Sequence, residues 1–171
     1  NINDTAELLD LEVIVLKRIE KEADDPNWLI LLAQNLNARK EYSRAAMVLR
    51  RLTLVQPQEF DHVKNYLYLL EQCGLYNAGI KEVARLNDHH DKHDLFRRFA
   101  MIFARESQRF EQGVALGRNW TERFPKDPEA WIFLGEMKFA KNELRDAYTA
   151  YARASQLAGK NPDVYFQLSR I

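Results

Sequence analysis

Apolar residues recur three and four positions apart along nearly the whole chain, as in WLILLAQNLNA (28–38) and RAAMVLRRLTLV (44–55). That spacing lines one face of a helix, and no stretch shows the strict alternation of a half-buried strand. Polar breaks such as NARKE (37–41) and AKNE (140–143) interrupt the pattern at short intervals. The chain therefore reads as a series of helices of modest length joined by tight turns, an all-α protein.

The breaks are periodic. DPNWLILLAQ (25–34) resembles DPEAWIFLGE (127–136), and their prolines, Pro26 and Pro128, lie 102 residues apart, three times 34. A frame of 34 residues laid from Pro26 runs to the end without a gap. Its position 20 holds Ala45, Gly79, Gly113 and Ala147, all small. Position 17 holds Tyr42, Tyr76, Phe110 and Leu144, and position 7 holds Leu32, Tyr66, Ala100, Leu134 and Leu168. Position 32 carries the turn residues Pro57, Asp91, Pro125 and Gly159. Each period accommodates two antiparallel helices, one over positions 2–14 and one over positions 18–30, with position 20 small so that the two backbones can approach where they cross. Large residues at positions 4, 7, 24 and 27 fill the surrounding space. Where Gly117 precedes Trp120, the next unit has Tyr151 before Ala154, an exchange of volume within one turn that a core tolerates.

Trp131, Leu134, Gly135, Ala147, Tyr151 and Ala154 resemble the pattern of the tetratricopeptide repeat (TPR), and the resemblance extends over 26–171. It implies a right-handed superhelix of stacked antiparallel helix pairs, a TPR-like alpha-alpha solenoid. The frame divides the chain into unit 1 (26–59), degenerate units 2 (60–93) and 3 (94–127), unit 4 (128–161) and the start of a fifth (162–171). Units 2 and 3 lack an aromatic residue at position 4, having Val63 and Arg97 there. Residues 1–25 read as one helix with a capping-box-like start at Asp4 and Glu7, either an N-terminal cap or a worn repeat. A last unit broken off after ten residues leads us to expect a fragment of a longer array, or a terminal face packed on another chain.

The resemblance implies that the first helices of the pairs line a concave groove, at positions 2, 5, 9, 12 and 13. The candidate partner-binding residues are Ile30, Gln34, Asn37, Lys64, Asn65, Tyr68, Arg98, Ile102, Arg105, Ile132, Glu136 and Phe139. Apolar members alternate with amides and charges of both signs, which suits an extended or helical peptide. Some members of the family clamp the acidic tails of chaperones with Lys, Asn and Arg; the corresponding residues here are Ile30, Gln34, Asn65, Leu95 and Phe99, and only Asn65 matches.

Composition narrows the remaining classes. Twenty-five basic residues balance 25 acidic ones among 171, so no net field draws nucleic acid or an anionic membrane. No apolar run reaches the roughly 18 residues that span a bilayer, and the first 25 residues lack the features of a signal peptide. Cytoplasmic and periplasmic locations remain equally open, since the single Cys73 forms no intramolecular disulfide. DHHDKHD (88–94) invites a metal reading through His89, His93 and Asp91, but the frame puts it in the connection between two units, a polar turn in which Asp91 or Asp94 caps the next helix. There is no Gly-rich phosphate loop and no HExxH. We therefore expect no enzyme, no cofactor and no metal, but a protein-protein interaction scaffold holding a peptide or protein partner, with a homo-oligomer compatible. The alternative is a structural assembly module of a bacterial envelope secretion or polymer-export apparatus that acts by oligomerisation.

Overall fold

The computed structural model describes residues 2–91, 93–158 and 168, the side chains of 2–5 excepted. The regular elements among them are all helices: α1 (Ile2–Ile19), α2 (Pro26–Ala38), α3 (Tyr42–Val55), α4 (Phe60–Gln72), α5 (Tyr76–His90), α6 (Asp94–Glu106), α7 (Phe110–Arg123), α8 (Pro128–Ala140) and α9 (Leu144–Ala158). No helix of the described residues is long and apolar enough to cross a membrane. Two compact units divide the chain: Asn1–Leu75 with Asp88–His90, and Tyr76–Asn87 with Asp91–Ile171. In the first, α1 packs on α2, α2 on α3 and α3 on α4; in the second, α6 packs on α7 and α8, α7 on α8 and α8 on α9. The expected fifth unit (162–171) lies outside the described residues apart from Leu168.

Local chemistry explains where the helices begin and end. Asp25 and Asp127 are N-caps followed by proline, and their carboxylates accept hydrogen bonds from the backbone N–H groups of Asn27 (2.8 Å) and Glu129 (3.0 Å). The stops share a backbone device. Lys40, Gly74, Gln108 and Asn142 all have left-handed φ, of 62°, 67°, 55° and 64°. Each lets the following N–H reach back five residues to a helix carbonyl: Glu41 to Leu36, Leu75 to Leu70, Arg109 to Ala104, and Glu143 to Lys138. This is the Schellman termination, and it falls at position 15 of the frame every time. Only one of the four is glycine, which is why residue identity did not reveal it.

The small residues at position 20 are buried, but the reason differs from the expected close approach of backbones. A Cβ at Gly79 would sit 2.6 Å from the ring carbons of Phe103 on α6, and one at Gly113 would collide with the side chain of Met137 on α8. Both obstacles stand at position 10 of the frame. The small site is thus a socket for a side chain from a following first helix, although Ala104 Cβ, at 3.3 Å from the Gly113 site, shows its own pair crossing tightly as well. Gly117, Trp120, Tyr151 and Ala154 are all buried, as a volume exchange within the core requires. Trp120 meets the ring of Phe133 at 4.5 Å and donates its indole N–H to Asn87 Oδ1.

Position 4 tells a related story. Trp131 donates its indole N–H to the carbonyl of Pro125 (3.0 Å); Arg97, which replaces the aromatic residue in the preceding unit, donates from Nε to the carbonyl of Asp91 (2.6 Å). Both donors reach back six residues to the connection before their helix. The guanidinium carbon lies 5.5 Å from the Trp120 ring centre, a cation–π contact.

α1 begins at Ile2, so Asp4 lies within the first turn rather than at a capping position. The helix is fixed to α2 by fully buried Val15, by Asn35 Nδ2 donating to the carbonyl of Leu8 (2.7 Å), and by buried Glu12, whose carboxylate receives both Arg39 and Arg44. The hydrogen bond from Arg39, aided by Arg44, holds the Glu12 carboxyl below its ordinary range against the opposing effect of burial.

Candidate functional site

α2 and α4 present their residues to a cavity of about 310 Å³ in the first unit. Ala33, Leu49, Leu52 and Leu69 supply apolar surface, and Ile30 and Tyr68 add an aliphatic and an aromatic wall. Around them stand three amides, Gln34, Asn37 and Asn65, all exposed, with His62, which shares a hydrogen bond of 3.1 Å with Gln56 Oε1. Among the described residues, no aspartate, glutamate, lysine or arginine lines the cavity. Such an arrangement can desolvate an uncharged apolar group while the amides, each both donor and acceptor, pair with peptide N–H and C=O groups. Tyr68 is 53% exposed, an aromatic surface available to a ligand.

A second cavity of about 270 Å³ lies in the other unit, between α6 and α8. Arg98, Ile102 and Ile132 line it with Met101, Phe133, Asp94, Glu129 and Arg97. Arg97 is buried and committed: its Nη1 donates to Asp127 (2.5 Å) and its Nε to the Asp91 carbonyl. Exposed Arg98 lines the cavity together with the carboxylates Asp94 and Glu129.

Of the twelve candidate groove residues, Ile30, Gln34, Asn37, Asn65 and Tyr68 meet at the first cavity and Arg98, Ile102 and Ile132 at the second. Lys64 lines neither and is paired with Asp61 at 2.5 Å. Arg105 is exposed at the end of α6, whereas Glu136 and Phe139 are half-buried on α8 away from both cavities. Sequence reasoning missed Leu49 and Leu52. They belong to α3, a second helix, at positions 24 and 27, which the periodic pattern assigns to general core; nothing in their identity separates a cavity floor from a filled interior. Of the residues corresponding to the chaperone-tail clamp, Phe99 is core, stacked on Phe103 at 5.9 Å.

The histidine-rich segment is not the polar turn its composition suggested. α5 continues through His90, so 88–90 form its last turn. His90 is 1% exposed, with Nε2 at 2.6 Å from the Pro57 carbonyl and its ring 5.4 Å from that of Phe60. Asp91 is buried in the other unit and pairs with Arg123 at 2.6 Å. Neither Asp91 nor Asp94 caps α6: the N-cap is His93, whose side chain makes no capping hydrogen bond, and Asp94 sits in the first turn, where its charge suits the helix dipole. Among the described residues no three His, Cys, Asp or Glu side chains converge as a metal would require. Cys73 caps α4, half-buried, with Sγ 3.8 Å from Ser43 Oγ.

Neither a protein-family model nor a curated protein sequence matches the chain. Solved structures do resemble it. YrrB, described as a TPR protein with an unusual peptide-binding site, superposes with a TM-score of 0.59 at 10% identity, over 99% of this chain and 87% of that one. TTC0263, a thermophilic TPR protein of Thermus thermophilus, gives 0.53 at 13% identity over 98% and 95%. MamA from Desulfovibrio magneticus RS-1 gives 0.54 at 14% identity over 92% and 97%. Likeness at such low identity is a likeness of fold. With the helices, their shared terminations and these neighbours together, the chain has the all-α fold of the tetratricopeptide-repeat proteins.

Proposed function

We propose that the chain is a non-catalytic interaction scaffold and that the cavity between α2 and α4 receives an uncharged segment of a partner protein, one apolar side chain entering and the flanking peptide groups pairing with Gln34, Asn37 and Asn65. The observation that carries this reading is the pairing of an apolar interior with three exposed amides and no ionic side chain. Its volume lies at the small end of the roughly 300–1,000 Å³ of ligand pockets, enough for one large side chain and small for a dinucleotide cofactor. A peptide-binding site on a protein of the same fold, YrrB, adds support for the ligand class. Arg98, Ile102 and Ile132 at the second cavity are a further contact region, offering apolar surface flanked by charges of both signs. Lys64, Arg105, Glu136 and Phe139 belong to the proposal only as surroundings.

Replacing Tyr68 by the photo-crosslinker benzoylphenylalanine tests the reading, with exposed Tyr148 on α9 as the control position. Crosslinks to one partner from position 68, absent from position 148 and lost in a Gln34→Ala/Asn65→Ala background, are expected. Equal crosslinking from the two positions would contradict a site between α2 and α4.

A further inference from the structure

α1 has a second apolar side that the first unit does not cover. While Val15 and Glu12 are buried towards α2, Leu9, Val13 and Leu16 are 46%, 52% and 40% exposed. The run Leu9, Val13, Leu16 has spacings of four and three, the seam of a two-helix coiled coil. Scattered apolar side chains on a surface need no explanation, but three in one stripe along two turns of a helix make a patch.

Charges beside the seam indicate what fits it. Asp10 and Lys17 are exposed, seven residues apart, and so stand on the same flank, one on either side of Val13 along the axis. In an antiparallel pair of identical helices, each flank meets the same flank of its partner. Crossing near Val13 then sets Asp10 of each helix against Lys17 of the other. In a parallel pair this flank would meet the opposite one, and Asp10 and Lys17 would not face each other. We infer that the outer face of α1 is a self-association surface, which binds α1 of a second copy of this chain in antiparallel register about a twofold axis near Val13. Such an isologous contact closes at two copies and needs no further partner. It is independent of the peptide site, since none of its residues lines the cavity.

Sedimentation equilibrium of the chain at low and high salt tests this. A dimer is expected, weakened by salt. Val13→Ser/Leu16→Ser should be monomeric with unchanged helicity, both sites being exposed. Lys17→Asp alone should raise the dissociation constant about tenfold, because two repulsive pairs replace two attractive ones. Asp10→Lys/Lys17→Asp should restore the dimer, since the exchanged charges again oppose each other. In a Cys73→Ser background, Val13→Cys should form an intermolecular disulfide on oxidation and Leu9→Cys should not. A monomeric wild-type chain would overturn the inference, as would a dimer indifferent to Val13→Ser/Leu16→Ser, a charge exchange no better than the single reversal, or Leu9→Cys crosslinking as readily as Val13→Cys.

Discussion

Gly79 and Gly113 occupy the same position of the period, yet their surroundings differ in what can yield. The Cβ of an alanine at Gly79 would meet three ring carbons of fully buried Phe103, which also stacks on Phe99; at Gly113 it would meet the flexible end of Met137. Gly79→Ala is therefore expected to destabilise the protein by about 1–2 kcal/mol, overpacking outweighing the gain in helix propensity. Gly113→Ala should fall closer to neutral. Urea unfolding of the two variants checks the order. Position 20 was legible as small from sequence, because size is a property of residue type. The identity of the neighbour was not, because Phe103 and Met137 lie far along the chain. Titration adds a second residue-scale outcome. Lys138 first, then Lys141, holds the Glu143 carboxyl down to about 2 from 4.5. A carboxylate with a depressed folded value stabilises fully above its unfolded value and loses that contribution as pH falls through the folded one. Stability should thus decline between pH 4.5 and about 2, and Glu143→Gln should flatten that decline while lowering stability at neutral pH. Lys138 is shifted upward by the same pairing with Glu143 and then by Asp146, so losing its proton breaks that pairing only at high pH.

At the scale of elements, the first helices start at Pro26, Phe60, Asp94 and Pro128 and the second helices at Tyr42, Tyr76, Phe110 and Leu144, each one position earlier than the apolar pattern suggested. None of these starting residues is fully buried, so the pattern marks the buried part of a helix better than its ends. The stops were hidden for a similar reason: left-handed backbone is announced by glycine, and Lys40, Gln108 and Asn142 adopt it without one. Gln108→Gly should consequently stabilise the protein by about 1 kcal/mol, by relieving the Cβ penalty of that conformation. An unchanged denaturation midpoint would show that the termination after α6 carries no strain. DHHDKHD misled in the opposite direction. Polar composition reads as a turn, but His90 and Asp91 are buried and each finds a partner, Pro57 and Arg123, that no local window contains.

For the whole molecule, the 34-residue period made the fold legible, because every helix pair repeats the same packing problem and every solution left its mark at the same positions. The candidate site was legible only in outline. Gln34, Asn65 and Tyr68 could be placed on a helix face by counting, whereas the cavity floor of Leu49 and Leu52 depends on how far α3 stands from α4, a distance that no pattern of residue types encodes. Function then rests on whether that cavity takes a peptide. The most direct measurement is a nuclear magnetic resonance titration of the labelled chain with the peptide captured from position 68, following the side-chain amide signals of Gln34, Asn37 and Asn65. The account predicts saturable shifts of these signals at one affinity, weakened about tenfold or more by Tyr68→Ala. Binding that leaves all three amides unmoved, or an affinity that Tyr68→Ala does not change, would contradict it.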